Sequence, residues 1–342
     1  MKKHLLAATL ALSALAPGWA SAGMAQLTNL FVFGDSLLDG GNAGLLTSGV
    51  FPPAPYAGGR SSNGPVASEY LWNLYNPGDT SFKPSLGGGT NYAIAGATSG
   101  TANYNEVAPN AVFYDVDEQF ANKGAAWQLQ AFLDDSPTFD PDTSLFMVWL
   151  FANDVFYSGS TRTLPGTVPG SSGGTDLISN GVANVVAIIE DLADAGARHL
   201  LVPSLVDLGI TPEFYGNTSL SALSAAFNLA LGIALTSLDA TLTAVDIMQF
   251  DTNAAFADIL DNPAAYGFTV TDQGCVLNPT ICNPDTWLFW DGVHPTTRTH
   301  EILAQRLFEA VVPEPASMLL LAAGLFGFGA TRRRGSRAAC AA

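Results

Sequence analysis

Positive charge is what this chain has least of. Only 13 of its 342 residues are Lys or Arg, against 30 Asp or Glu, and the four charged types together make up 13%. Six of those basic residues lie at the two ends: Lys2, Lys3, Arg332, Arg333, Arg334 and Arg337. The segment between keeps seven basic residues against 29 acidic ones, because only Glu314 is lost with the ends, so its formal charge is −22. Such a body repels nucleic acid and anionic lipid faces, which argues against a nucleic-acid-binding role. Cysteine is equally scarce, at three residues. Cys340 lies near the C-terminus, leaving Cys275 and Cys282 as the only pair in the body. No Cys/His cluster has metal-ligand spacing, so no metal site is expected. Hydrophobic residues still reach 48%, with 34 Gly and 20 Pro, a composition that suits a loop-rich globular core.

The ends carry what the body lacks. Lys2 and Lys3 precede an apolar run from Leu5 to Leu15, and Ala20-Ser21-Ala22 follows as a small-residue cleavage site. Residues 1–22 therefore read as a secretory signal peptide, with the mature chain starting near Gly23. In an exported body, Cys275 and Cys282 favour a disulfide closing a small loop, with free thiols as the alternative. At the other end, Val312-Pro313-Glu314-Pro315 precedes an apolar stretch from Met318 to Ala330, and the four arginines come after it. An apolar run held by arginines is a weak membrane-spanning signal, here short for a ~30 Å hydrocarbon core. A Pro-Glu-Pro motif, a hydrophobic segment and a basic cluster in that order resemble the PEP-CTERM sorting signal of Gram-negative bacteria that make exopolysaccharide. The resemblance implies transient membrane contact through residues 312–342, processing by an exosortase-type enzyme, and a cell-envelope or extracellular location. An ordinary C-terminal anchor is the alternative.

Within residues 23–311, strands and helices alternate. Apolar runs at 30–33, 145–151, 199–206 and 242–250 read as buried strands. Residues 68–75, 118–133, 177–195, 220–238 and 296–311 read as helices, and 43–63, 98–116 and 158–175 as loops shaping a pocket. Alternation of this kind argues one α/β domain with a parallel sheet covered on both faces. Four features fall at strand ends or in adjoining loops. Ser36 follows Phe33-Gly34-Asp35, at the carboxyl end of a strand where open α/β sheets place ligands. Gly96 offers a backbone N–H and Asn153 a side-chain amide. Asp291 and His294 stand three residues apart. A nucleophile, a base, an acid to orient the base, and oxyanion donors are the parts that acyl transfer needs.

Singly these are turn and cap residues; together, in this order, they resemble the GDSL (SGNH) lipase/esterase family, in its lipase/acyltransferase-like branch. The first block is Phe33-Gly34-Asp35-Ser36-Leu37 with Asp39 and Asn42, the second Asn91-Tyr92-Ala93-Ile94-Ala95-Gly96-Ala97, the third Ala152-Asn153-Asp154, and the last Trp290-Asp291-Gly292-Val293-His294-Pro295-Thr296. The resemblance implies a three-layer α/β/α sandwich with a parallel, flavodoxin-like sheet. It implies a serine ester hydrolase needing no cofactor or metal. Ser36 would be the nucleophile, His294 the base and Asp291 its partner, with the oxyanion hole formed by Ser36, Gly96 and Asn153. Asp35 and Asp39 would shape the loop. Ester substrates of three kinds fit: lipids, short acyl esters and acetylated polysaccharide. A non-catalytic surface protein that keeps the fold is the rival reading. Two departures stand out. Ala95 replaces the first glycine of a Gly-Gly pair, and the third block lacks the glycine of Gly-x-Asn-Asp, having Phe151 and Ala152 before Asn153. The second departure predicts a crowded oxyanion wall.

Overall fold

The computed structural model describes residues 24–312. The signal peptide and all but the first residue of the sorting tail lie outside the described residues. Six strands are present among the described residues: β1 (Asn29–Gly34), β2 (Ser144–Trp149), β3 (His199–Pro203), β4 (Asp246–Phe250), β5 (Val270–Gly274) and β6 (Trp287–Phe289). The helices are α1 (Asn42–Leu46), α2 (Ala67–Tyr75), α3 (Pro109–Phe113), α4 (Asp117–Phe120), α5 (Ala125–Asp135), α6 (Ala152–Thr161), α7 (Leu177–Asp194), α8 (Thr218–Thr241), α9 (Thr252–Asp261) and α10 (Thr297–Val311).

The first four strands form one parallel sheet in the order β1-β2-β3-β4. Every residue of β2 is buried, as are the last five of β1. Successive strand residues point to opposite faces, so unbroken burial means that both faces are covered. Residues 90–94 run beside the free edge of β1. Val32 N–H donates to the Thr90 carbonyl at 3.2 Å, and Tyr92 N–H to the Val32 carbonyl at 2.8 Å. With this segment counted second in chain order, the sheet reads 2-1-3-4-5, the doubly wound order of flavodoxin. On one face Phe31, Phe33, Phe132 and Phe146 form a contiguous set of stacked and edge-on rings, which seats α5 against β1. Helix α8 carries Phe227, Leu231, Leu235 and Leu238 at helical spacing on its buried face.

Several elements differ from the sequence reading. The helical pattern at 118–133 is two helices, α4 and α5, broken at Gly124. A Cβ there would lie 2.3 Å from the Gly100 carbonyl oxygen, so backbone of the 98–102 loop passes where a side chain would stand. Residues 98–116 contain α3 rather than loop alone, and α6 runs to Thr161, four residues into the stretch read as loop from 158. Helix α9 and the short parallel pair β5–β6 had no legible pattern, since β5 has only one of its five residues buried. The Cα atoms of Cys275 and Cys282 lie 5.1 Å apart, within disulfide range.

Candidate active site

The chain leaves β1 at Gly34, where a Cβ would meet the Trp149 carbonyl oxygen at 2.8 Å. The buried Gln128 of α5 grips both backbone groups of Gly34: its Oε1 accepts from the N–H at 2.8 Å and its Nε2 donates to the carbonyl at 2.8 Å. That clamp fixes the last residue of β1, which is still paired with Trp149 of β2, one residue before the turn that carries Asp35 and Ser36. Asp35 Oδ1 then accepts from Leu37 N–H at 3.0 Å. Asp39 closes the turn. Its carboxylate accepts from the N–H groups of Gly41, Asn42 and Ala43, and from that of Ala95 across the cleft floor at 2.8 Å. Asn42 adds bonds to the Asn91 and Ala93 carbonyls at 2.7 and 2.9 Å. The first and second blocks are thus one hydrogen-bonded unit, the loop-shaping part expected of Asp39.

On the far side of the chain, Asp291 Oδ1 accepts from the N–H groups of Val293 and His294 at 2.8 and 2.7 Å. The tight turn this makes puts His294 Nδ1 2.7 Å from Asp291 Oδ2. His294 Nε2 lies 2.8 Å from Ser36 Oγ, 258 residues away in sequence. The three side chains expected from the sequence therefore stand in one continuous line.

The three proposed oxyanion donors converge less evenly. Among the described residues the backbone N–H groups of Ser36 and Gly96 donate to no other group. Gly96 has φ +81°, and a Cβ there would lie 2.3 Å from Asn103 Oδ1 and 2.6 Å from Asn105 Nδ2. Only glycine fits. Gly96→Ala is expected to swing this N–H away and lower kcat about 10²- to 10³-fold; steady-state rates on an aryl ester check it. Asn153 differs: its Nδ2 donates to Asp35 Oδ2 and to the Ala97 carbonyl, both at 3.2 Å. Its amide is held at the wall of the cleft with its hydrogens engaged by the protein.

The missing glycine of the third block has a structural answer. Phe151 takes the left-handed conformation, φ +104°, that a glycine would adopt without strain. Its ring does not enter the cleft. It stacks on Phe227 of α8, with centroids 3.6 Å apart, and fills the space left by Gly181 of α7, where a Cβ would lie 2.3 Å from the ring. The expected crowding of the oxyanion wall does not occur, because it is Ala152 that lines the cleft. Phe151→Gly is expected to relieve about 1–2 kcal/mol of backbone strain but to lose about 3–5 kcal/mol of packing. The net loss is about 1–4 kcal/mol in urea unfolding, with kcat little changed.

The cleft measures about 890 Å3. Phe51, Pro53 and Tyr56 line it from the first loop, and Tyr104, Asn105 and Tyr114 from the second. Residues 158–175, read from sequence as a third pocket loop, contribute none; their place is taken by Phe156, Phe214 and Leu277. The 158–175 segment instead supports the second loop from behind, where the Pro165 carbonyl accepts from the N–H groups of Thr101 and Ala102. Among the described residues no group of three or more His, Cys, Asp or Glu side chains is arranged to hold a metal ion.

Buried acids surround the line. Burial pushes Asp35 and Asp39 up to about 6 and Asp154 up to about 7. Asp154 is nonetheless well bonded, accepting from Ser99 N–H at 2.8 Å and Ser99 Oγ–H at 2.5 Å. Burial alone would lower His294, but the charge and hydrogen bond of Asp291, with Asp35 and Glu213 nearby, raise it above its usual value. A group that acts as a base must be neutral, so the acid limb of kcat/KM is expected above the ordinary imidazole value of 6.5. Stability runs the other way. The three raised carboxyls bind protons more readily folded than unfolded, so stability falls as pH rises from about 4 to about 7. The raised His294 adds to that direction, and Asp291, which is lowered, opposes it only below its ordinary range. Thermal melts are expected to give a higher midpoint near pH ~5 than near pH ~8, while kcat/KM ranks the two conditions oppositely.

The family described as GDSL-like Lipase/Acylhydrolase matches residues 30–307, most of the chain and every part of the site. The chain belongs to the GDSL-like lipase/acylhydrolase family. It is thereby classed with the ester hydrolases. A PEP-CTERM protein-sorting motif matches residues 311–334 of this GDSL-family chain. Among its relatives, a GDSL esterase/lipase of Arabidopsis thaliana is 24% identical over 324 residues, covering 82% of this chain and 85% of its own length. A second Arabidopsis thaliana GDSL esterase/lipase is 26% identical over 338 residues, covering 84% and 86%. Among solved structures, an acetylxylan esterase of Geobacillus stearothermophilus aligns with a TM-score of 0.44 at 14% identity, covering 85% of this chain and 95% of that one.

Proposed function

We propose that this GDSL-family ester hydrolase is exported and cleaves carboxylic esters through Ser36, His294 and Asp291 by way of an acyl-enzyme. The observation that carries the reading is the unbroken line from Ser36 Oγ through His294 to Asp291, at 2.8 and 2.7 Å. His294 Nε2 takes the Ser36 proton as Oγ attacks the ester carbonyl. Asp291 keeps the Nδ1 proton in place and stabilises the imidazolium. The N–H groups of Ser36 and Gly96 hold the oxyanion, and the Asn153 amide joins them by exchanging one of its two 3.2 Å bonds. His294 then protonates the leaving alcohol, and water releases the acid.

The two ends of the chain serve delivery. Residues 1–22 act as the signal peptide, residues 23–311 as the hydrolase domain, and residues 312–342 as a sorting tail read by an exosortase-type enzyme at the cell envelope. Outside the cytoplasm Cys275 and Cys282 form a disulfide. It steadies the segment whose Val276 N–H donates to the Trp290 carbonyl at 2.7 Å, one residue before Asp291.

The polar residues of the cleft, among them Asn105, Asn110, Gln273 and Asn278, support an O-acetylated polysaccharide as substrate beside lipid and short acyl esters. The test is direct. A fluorophosphonate should form one covalent adduct, located by peptide mass spectrometry on Ser36, and a p-nitrophenyl ester should give a burst of phenolate equal to the enzyme present. An adduct elsewhere, or none, refutes the reading. Rates on esters of graded chain length and on acetylated polysaccharide then rank the substrates.

A further inference from the structure

We propose that Tyr56 is a positioning residue for this chemistry, fixing the Asp291 carboxylate through the same oxygen that faces His294; the proposal rests on the triad reading above. Tyr56 Oη–H donates to Asp291 Oδ2 at 2.7 Å, to the same oxygen that receives His294 Nδ1–H at 2.7 Å. Oδ1 receives the backbone N–H groups of Val293 and His294. Both oxygens of this buried carboxylate are therefore doubly bonded to donors, and its plane has no freedom left. The tyrosine is itself held. Its ring stands edge-on to Trp290, with centroids 6.0 Å apart, and its N–H donates to the Pro53 carbonyl at 3.1 Å.

The arrangement has an electronic consequence as well as a steric one. A neutral hydroxyl on Oδ2 withdraws part of the electron density that would otherwise go to His294 Nδ1–H. It weakens the hold of Asp291 on the imidazolium and so keeps His294 from becoming too strong a base. Burial, followed by the charge of Asp291, pushes the Tyr56 phenol above its usual range, so it stays a donor throughout the working pH range. The other charged or titratable groups that face His294 are Asp35 beyond β1, Glu213 beside Gly292, and His300 of α10. None of them reaches Asp291 Oδ2, so the effect belongs to Tyr56.

The experiment is Tyr56→Phe in the full-length chain, which keeps the ring against Trp290 and removes only the hydroxyl. The acid limb of kcat/KM is expected to move up by about half a pH unit, and kcat at the plateau to fall about five-fold, with KM within two-fold. The far-downfield proton resonance of His294 Nδ1–H should move further downfield, a readout independent of turnover. With Asp291→Asn already in place, Tyr56→Phe should change kcat by less than about two-fold. An unmoved limb and an unmoved resonance, with the whole effect in KM, would make Tyr56 a wall of the cleft and overturn the proposal. A rate that Ser36→Ala leaves unchanged would instead sink the triad reading and this proposal with it, so the two failures are told apart.

Discussion

Ser36→Ala is expected to lower kcat about 10⁶-fold while leaving the fold intact. The loss is large because no other group at the strand end can replace the hydroxyl. Asp35 is turned to Leu37 and Asn153, and Leu37 is apolar. The fold should survive because Ser36 Oγ makes a single hydrogen bond, to His294, and no bond to the scaffold. The turn around it is held by Gln128, Asp35 and Asp39, none of which contacts the hydroxyl. Urea unfolding is therefore expected within about 1 kcal/mol of wild type. A variant that melts like the wild type and hydrolyses p-nitrophenyl esters at the same rate would return the protein to the rival reading, a surface protein that keeps the fold without turnover.

Asp291→Asn is expected to cost about 10⁴-fold in kcat. The substitution is nearly isosteric, and the asparagine oxygen can still accept from the N–H groups of Val293 and His294, so the turn should persist. The amide nitrogen then occupies the place of Oδ2. It is a donor facing His294 Nδ1, which must give up its proton and accept instead. The proton moves to Nε2, where it points at Ser36 and removes the lone pair that would receive the serine proton. Tyr56 loses its acceptor at the same time, and its hydroxyl oxygen must accept from the amide instead of donating. The measurement is a pH–rate profile beside a thermal melt. A loss confined to stability, with kcat per folded molecule unchanged, would count against a role for Asp291 in orienting the base.

How much of this fold and site is legible in the sequence depends on the kind of signal. Leu145 to Trp149 announced a buried strand because a strand covered on both faces needs apolar residues at every position. Ser36, Asp291 and His294, which the fold brings within hydrogen-bond distance, were marked by the order of their blocks and the family resemblance that order carries, since each block alone reads as a turn. Asn153 was found, yet its hydrogens point to Asp35 and Ala97, a matter of rotamer on which sequence is silent. Gln128 and Tyr56 were not found. Gln128 is a polar residue inside an apolar helical stripe, and only the strand end it clamps explains it. Tyr56 lies in a proline-rich loop with no periodicity, and its partner is 235 residues away. Helices α4 and α5 were read as one because the apolar spacing runs on across Gly124, and the backbone passing against that glycine is a tertiary fact.

The stacking of Phe151 on Phe227 above Gly181 makes the order of change matter. While the ring is present, position 181 admits no side chain, because a methyl group there would collide with it. With glycine at position 151 instead, the vacated space would lie open to a larger residue on α7. A lineage can cross from one arrangement to the other only by changing the strand end first, and the reverse order meets a clash at its first step. The demand for glycine thus falls not on the third block but on a helix thirty residues downstream, where no other residue fits beside the ring.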